Sequence, residues 1–185
     1  MKTNEEMREF ILNTDREMCR KSFKYFFVDI LGFMYNHHHD SWKEGLEESQ
    51  YYCVKASRDH GKSVFFMTYA LWLAAFNPGK HIMIFSHSLE QTLEHMRFVR
   101  NLIEGHDELR HLKPQGKPWA KSYFEFSNGS RMMAKSVGGA TRGFHPDVVV
   151  CDDILWGTTA SELAKTADWF YGVLLPVLHH SSKLM

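Results

Sequence analysis

One stretch, Val54 to Ser63, constrains this chain more than any other part of it. The stretch separates a β-prone run at Tyr51 to Val54 from an apolar, helix-prone run at Val64 to Phe76, and it ends in Gly61-Lys62-Ser63. This order predicts a strand, a loop and a helix. The first N–H groups of a helix have no partner within the helix, and the helix dipole adds positive charge there. The sequence therefore predicts a phosphate-binding loop.

The residue types of this loop match the groups of a nucleotide. Gly61 lets the backbone approach the phosphates, Lys62 reaches the β and γ oxygens, and the Ser63 hydroxyl joins the ligand shell of Mg²⁺. The pattern is a variant P-loop, because Ala56 stands where the first glycine is usual and a charged Arg58 lies inside the loop. The alternative is an ordinary capped helix start, since such tripeptides are common.

A second element, Asp147 to Asp153, favours the nucleotide interpretation. Its apolar part is too continuous for a half-exposed strand, and it ends in two acids. Because functional groups project from the carboxyl ends of parallel strands, Asp152 and Asp153 should lie beside the loop. We expect Asp152 to hold magnesium together with Ser63, and Asp153 to orient water. The alternative for the paired acids is an N-cap of the next helix.

Composition limits the class of protein. The chain has 185 residues, 44% hydrophobic and 24% charged, which predicts one folded domain with a sizeable core. Lysine plus arginine and aspartate plus glutamate both number 22, so no global basic field steers the chain to nucleic acid. Any contact with nucleic acid must be local.

Cysteine usage and hydropathy bear on the compartment. Cys19, Cys53 and Cys151 are far apart and odd in number, a pattern typical of reduced thiols. The charged segment Met1 to Phe10 has no signal-peptide core, and the apolar run from Val64 to Phe76 is too short to span a bilayer. We expect a cytoplasmic protein with no membrane partner.

Periodicity and turn signals predict the remaining elements. The first is a helix at Glu5 to Phe33 that packs by a broad apolar stripe, and the second is a strand at Lys80 to Ser86. A helix follows that is capped by Ser88, with a Gln91 capping box, and ends near Glu104; after it comes an irregular segment at Gly105 to Pro118. The last two are a hairpin of Tyr123 to Phe126 and Arg131 to Ala134 around Asn128-Gly129, and a helix at Glu162 to Leu178 that Pro176 ends or distorts.

The run His37-His38-His39 with Trp42 permits more than one use. Adjacent residues of a helix point about 100° apart and do not easily share one ion, which argues against a metal site. An imidazole or the Trp42 indole could instead pack against a purine, or simply under the sheet. These two alternatives stay open.

With these residues in place, the sequence resembles the ATPase domain of a tailed-phage terminase large subunit, the motor that packages double-stranded DNA into an empty capsid. The resemblance covers most of the chain. The pieces that carry it are Ala56-Ser57-Arg58 before Gly61-Lys62-Ser63, the stretch from His39 to Trp42, Asn128-Gly129-Ser130, and Thr141-Arg142-Gly143 before Pro146-Asp147.

The resemblance implies an α/β P-loop NTPase of the RecA-like (ASCE) class, with a three-layer core, a mainly parallel sheet, a helical N-terminal segment and an inserted β-hairpin. It implies that Arg58 contacts phosphate and that Arg142 is an arginine finger for a neighbouring subunit, although a solvated charge in a flexible loop is the alternative for Arg142. The implied catalytic residues are Lys62, Asp153 and Arg142. The implied nucleotide-binding residues are Trp42, Ser57, Arg58, Asp59, His60, Gly61, Lys62 and Ser63.

The same resemblance implies partners and cofactors. These are ATP and Mg²⁺, double-stranded DNA, a portal protein, a small terminase subunit, and further copies of the chain in a ring, expected to be a pentamer, in the host-cell cytoplasm. A P-loop helicase or other nucleic-acid translocase, and a non-catalytic nucleotide-binding assembly protein, are the alternatives.

The sequence departs from the family in two ways. Asp152-Asp153 stands where members usually have Asp-Glu, so the catalytic carboxylate is one methylene shorter. No further core strand with a coupling motif and no RNase H-like nuclease domain are expected in this chain. We therefore expect a single ATPase domain over residues 1–185, with a helical segment at 1–50 and a P-loop core at 51–185 that is incomplete at its C-terminus.

Overall fold

A five-stranded sheet with helices on both faces organises the molecule. The computed structural model describes residues 3–113, 119–139, 141, 143–155, 157 and 159–185. The helices are α1 (Asn4–Lys21), α2 (Phe23–Tyr25) with a π-helical continuation at Phe26–Ile30, α3 (His37–Glu48), α4 (Lys62–Phe76), α5 (Leu89–Gly105), a 3₁₀ turn at Arg110–Leu112, and α6 (Ala160–Trp169) with π-helical and 3₁₀ continuations at Phe170–Leu174 and Leu175–Val177. The strands are β1 (His81–Ser86), β2 (Tyr123–Glu125), β3 (Arg131–Ser136), β4 (Val148–Cys151) and β5 (Lys183–Leu184).

The sheet is mainly parallel, in the order β2-β3-β1-β4-β5. β1 runs parallel to both β3 and β4, with Ile84 opposite Ala134 on one side and Val150 on the other. β2 pairs antiparallel with β3, so the predicted hairpin is confirmed. Because β3 also pairs with β1, this hairpin is part of the main sheet. All parallel strands therefore end at the same edge.

The strands are apolar on both faces, because each face is covered. Ile82 and Ile84 of β1 belong to a large core shared with α4 and α5, whereas Met83 and Phe85 face a smaller core with Trp169. The Phe85 and Trp169 rings lie 5.1 Å apart, edge to face. Sheet strands buried on both faces read as continuous apolar runs. The expected three-layer arrangement is confirmed.

α4 is buried along most of its length, since it lies between the sheet and the N-terminal helices. A helix enclosed in this way is apolar on all sides. Phe65 is fully buried and contacts Phe23, His39 and Trp42 at ring-centroid distances of 5.2, 5.0 and 5.3 Å. The helical N-terminal segment is thus fixed to α4 by stacked and edge-to-face aromatic rings.

The predicted helix from Glu5 to Phe33 is interrupted at Ser22. Ser22 has an extended backbone, and its hydroxyl accepts a hydrogen bond from Tyr25 N–H, which caps α2. The expectation of one packed stripe was wrong for α1, because Phe10 and Ile11 are more than half exposed. Packing begins with Cys19, at the end of α1.

The strand expected at Tyr51 to Val54 is reduced to one parallel bridge between Tyr51 and Leu184. Tyr52 N–H donates to Leu184 O, and Leu184 N–H donates to Gln50 O, both at 2.9 Å. A short strand also follows β4 along the chain, because Lys183–Leu184 form β5 beside β4. β5 thus separates β4 from the segment that leads into the loop.

The helix ends follow local side-chain chemistry. Ser88 caps α5 by accepting from Gln91 N–H, but the Gln91 side chain does not complete the predicted box: its Oε1 is buried without a hydrogen-bond partner. α6 continues through a wider π-helical turn and a narrower 3₁₀ turn and ends around Pro176, as expected. At the far end of α4, Asn128 Nδ2 donates to the carbonyls of Ala74 and Ala75 at 2.8 and 3.1 Å. The hairpin turn therefore caps the helix that starts at the loop.

No helix formed by the described residues combines the length and the apolar character that crossing a bilayer requires.

Candidate nucleotide site

The predicted loop lies at the N-terminus of α4. Gly61 is the N-cap residue with φ 70°, a left-handed conformation that glycine adopts without strain, and the helix begins at Lys62. Asp59 also has a positive φ of 65°. The predicted contact residues Ser57, Arg58, Asp59, His60 and Gly61 are all exposed. The loop thus presents its backbone and side chains to solvent beside the unpaired N–H groups of α4.

Lys62 lies over this loop. Its Nζ donates to Ala56 O at 2.7 Å and to Ser57 O at 3.1 Å, so the ammonium is held next to the exposed backbone. The residue that replaces the usual first glycine therefore takes part through its carbonyl group.

Ser63 and Asp152 meet, as their positions in the sequence predict. The Ser63 hydroxyl donates to Asp152 Oδ2 at 2.8 Å, which joins the start of α4 to the carboxyl end of β4. Asp152 N–H donates to Phe85 O at 2.9 Å, so the acid is fixed to the neighbouring strand as well. The residue is only 8% exposed. The parallel arrangement of β1 and β4 is what brings this carboxylate to the loop.

A third side chain, His95 of α5, approaches the same carboxylate and was missed by the sequence analysis. His95 Nε2 lies 2.9 Å from Asp152 Oδ2. Burial raises the pKa of Asp152, but the His95 contact, the hydrogen bond from Ser63 and the charge of Lys62 together hold that pKa below its usual range. These contacts therefore favour the ionised form of Asp152, despite its burial.

Asp153 follows directly and differs in both exposure and backbone. Its side chain is exposed, and its φ of 49° lies in the left-handed region. Non-glycine residues rarely adopt this conformation, although aspartate and asparagine do so more readily than most. A residue held in this way beside a ligand site is more typical of a functional position than of a simple helix cap.

A cleft of about 470 Å³ opens at this edge of the sheet. Lys62, Asp152 and Asp153 line its polar part. The rest is lined by apolar side chains, such as Tyr51 before the loop, Phe66 of α4 and Phe170 after α6. A cleft with a few convergent polar groups among apolar walls is typical of a small-molecule site.

Trp42 and the three histidines lie on α3, and of these four residues Trp42 and His39 are buried. Trp42 is 7% exposed and stacks on Phe66 at 5.9 Å, and His39 stacks on Phe65. Burial lowers the pKa of His39 to about 4. These contacts favour the packing alternative for Trp42 and His39. The histidine run also approaches the loop, since the His38 ring lies 5.8 Å from that of His60.

Two further charged residues, Glu162 and Arg142, flank the second motif in the sequence. Glu162 accepts from Thr159 N–H and Oγ1 at 3.1 and 2.7 Å, so it caps α6. Arg142 lies outside the described residues. Its neighbour Thr141 is fully buried and donates to Val173 O at 3.5 Å.

The donor set fits a hard divalent cation bound with a nucleotide. Mg²⁺ in such sites is bound by one or two protein oxygens together with phosphate oxygens and water. Ser63 Oγ and the Asp152 carboxylate supply oxygens of this kind. Within the described parts of the chain, no three histidine, cysteine or acidic side chains converge to form a site made of protein ligands alone.

Comparison with known proteins decides the family. Residues 53–168, more than half of the chain, match the family described as terminase large subunit, T4likevirus-type, N-terminal. The chain belongs to this family. The match runs from the segment before the loop through both acids and most of α6. No curated protein matches the sequence.

Solved terminase structures share the fold of this domain. The large terminase of bacteriophage HK97 aligns with a TM-score of 0.62 and 13% identity, over 82% of this chain and 32% of that one. The large terminase ATPase domain of Thermus phage P74-26 aligns with a TM-score of 0.58 and 19% identity, over 84% and 64%. The chain thus spans about a third of the one and under two thirds of the other. These similarities show a RecA-like P-loop fold.

Proposed function

We propose that this terminase domain binds and hydrolyses Mg-ATP, and that as part of a packaging motor it couples hydrolysis to the translocation of double-stranded DNA into a procapsid. The observation that carries the proposal is the 2.8 Å contact between Ser63 and Asp152, with Lys62 on the loop beside them. This contact brings the two sequence motifs together, which supports a shared site for phosphate and metal.

Each residue has a defined part in the proposed reaction. Lys62 and Arg58 bind phosphate oxygens, while Ser63 and Asp152 hold Mg²⁺. When bound, the metal ion neutralises charge on the transferring phosphoryl group. Asp153 accepts the proton of the attacking water and keeps that water in line. Positioning and charge neutralisation supply most of the catalysis in such reactions.

The wider assembly is proposed on the resemblance and on family membership. The partners are double-stranded DNA, a portal protein, a small terminase subunit and further copies of the chain in a pentameric ring, all in the host-cell cytoplasm. Arg142 is proposed as the finger that reaches the ATP of the neighbouring subunit.

Removal of the Lys62 ammonium tests the site. We expect Lys62→Ala to weaken ATP binding roughly ten- to hundredfold and to abolish hydrolysis, because hydrogen bonds to a charged group contribute about 1.5–3 kcal/mol. Binding is measured by isothermal titration calorimetry and turnover by phosphate release. Lys21→Ala is the control, since Lys21 is an exposed lysine at the end of α1 that pairs with Glu17.

Wild-type affinity in the Lys62→Ala protein would contradict the proposal. An assay on a forked duplex separates a packaging motor from a helicase, because a packaging motor moves duplex DNA without opening it. Strand separation coupled to ATP hydrolysis would favour the helicase alternative.

A further inference from the structure

His95 occupies an unusual place for a polar ring. It lies on the buried side of α5, next to Met96 and one turn from Thr92 and Val99, all of which are fully buried. The His95 side chain is 13% exposed. An aliphatic residue here would extend the apolar stripe and avoid the free-energy penalty of burying a polar group. The histidine therefore needs a polar partner.

The structure offers one partner for the ring nitrogen. Nε2 is buried and makes no well-aligned hydrogen bond with any described residue, and Asp152 Oδ2 lies 2.9 Å away. The contact is thus close but bent, which is common in active sites before the reacting complex has formed. Buried polar atoms are nearly always paired, so Asp152 is the partner that we assign to the His95 ring.

Two contacts converge on one oxygen of Asp152. Ser63 Oγ lies 2.8 Å and His95 Nε2 lies 2.9 Å from Oδ2, and neither contact uses Oδ1. Restraint of one oxygen from two directions limits rotation of the carboxylate about its Cβ–Cγ bond. A metal ligand gains affinity when its orientation is fixed before the metal binds.

α5 is itself well anchored, so His95 is held on a rigid element. Thr92 Oγ1 lies 3.0 Å from Ser88 O and 2.9 Å from Lys135 O, so its one hydrogen can be donated to either carbonyl; these contacts link the first turns of the helix to the end of β3. Residues that orient a site act best from such supports.

We propose that His95 is a positioning residue for the magnesium site: its ring fixes the orientation of the Asp152 carboxylate and so raises the affinity of the nucleotide complex for the divalent ion. This inference rests on the proposed function, because it concerns the Mg²⁺ that Ser63 and Asp152 would hold. His95 itself contacts neither metal nor nucleotide, and a neutral ring with its hydrogen on Nε2 is sufficient for the role.

The test compares two substitutions in the full chain. His95→Gln can place an amide N–H near the position of Nε2, whereas His95→Leu fills the space without a donor. Mn²⁺ replaces Mg²⁺, and its affinity is measured by electron paramagnetic resonance with a non-hydrolysable ATP analogue. We expect His95→Leu to weaken Mn²⁺ binding about 10- to 100-fold, and His95→Gln to restore most of the affinity. ATP affinity in EDTA should be the same in all three proteins.

His106→Gln is the matched control, since His106 follows the last turn of α5 and its Nδ1 contacts Leu102 O of the same helix. It should bind Mn²⁺ as the wild type does. Wild-type Mn²⁺ affinity in His95→Leu would overturn the inference, and so would equal losses in His95→Gln and His95→Leu. A loss of ATP binding in EDTA would mean that His95 only supports the fold.

Asp152→Asn separates this inference from the proposed function. If Asp152→Asn loses Mn²⁺ affinity while His95→Leu keeps it, only the role of His95 is refuted. If Asp152→Asn binds Mn²⁺ normally, the magnesium site of the proposed function is refuted as well.

Discussion

At Asp153 the backbone limits which acid can stand at the end of β4. Its φ of 49° is a conformation that aspartate tolerates better than glutamate, because the short polar side chain can satisfy nearby backbone groups. This backbone conformation gives a physical reason for an aspartate rather than a glutamate at this position. The exposed carboxylate lies at the mouth of the cleft that Lys62 and Asp152 also line.

Asp153→Asn tests the proposed catalytic role without disturbing this backbone. Asparagine adopts positive φ as readily as aspartate, but an amide cannot accept the proton of water. We expect ATP affinity to stay near the wild-type value, while phosphate release falls about 10²- to 10⁴-fold. Both are measured on the same preparation.

A Glu162→Gln protein serves as the comparison, since Glu162 caps α6 through Thr159. Hydrolysis that survives in Asp153→Asn and fails in Glu162→Gln would move the role to Glu162.

The residues proposed to bind phosphate and metal could be predicted from sequence, whereas His95 could not. Lys62, Ser63 and Asp152 occupy fixed places in motifs whose topology brings strand ends together. His95 lies on the apolar stripe of a helix that carries no motif, and only packing of α5 against the sheet shows what its ring faces. The position of Trp42 was undecided for the same reason, since an aromatic ring packs equally well under a sheet or against a base.

At the level of elements, α4 connects the site to the N-terminal segment. Its first turn holds the loop, and Phe65 on its buried side touches aromatic rings of α2 and α3. The sequence predicted this helix well, because a long apolar run after a loop has few alternatives. It predicted the segment from Tyr51 to Val54 less well: β propensity is local, but a ladder needs a neighbour, and β5 has only two residues.

Phe65→Ala should destabilise the protein strongly. Loss of a fully buried ring leaves a cavity among rigid neighbours, so we expect the free energy of unfolding to fall by about 3–5 kcal/mol. Urea denaturation followed by circular dichroism measures the change. Met34→Ala, at a side chain that is 80% exposed, should stay within about 0.5 kcal/mol of the wild type. Similar values for the two variants would mean that the aromatic cluster adds little.

For the whole molecule, Asp147 makes the stability of the sheet depend on pH. His81 N–H donates to Asp147 Oδ2 at 2.8 Å and Lys80 Nζ donates to Oδ1 at 3.0 Å, which joins the starts of β1 and β4. Burial raises the pKa of Asp147, but these two donors lower it more, so its pKa lies below the usual range. The stabilisation is therefore complete above the ordinary carboxylate pKa and is lost as pH falls through the lowered value.

Asp147→Asn should reduce the free energy of unfolding by about 1–2 kcal/mol at neutral pH. The difference from the wild type should shrink as the pH falls from about 4 through the lowered pKa of the folded protein, because the unfolded wild-type chain is protonated first and the folded carboxylate only later. Urea denaturation over a pH series gives both values. The exposed Asp29 provides the control as Asp29→Asn, and a difference for Asp147→Asn that is independent of pH would show that its charge contributes nothing.

The hairpin turn that caps α4 also affects how readily this protein deamidates. Asn-Gly is the dipeptide most prone to deamidation, in which the following backbone nitrogen attacks the side-chain amide. Here Asn128 is held at Nδ2 by Ala74 O and Ala75 O and at Oδ1 by Ser130 N–H, while Gly129 N–H is bonded to Phe126 O. The folded chain thus protects the Asn128 side-chain amide from this attack, and the unfolded chain does not.

A carboxylate formed there while the chain is unfolded would meet the negative end of the α4 dipole with no hydrogen to donate. Protein refolded from a denatured state would therefore retain any deamidation that took place while it was unfolded, at the end of α4 opposite the Val54 to Ser63 loop.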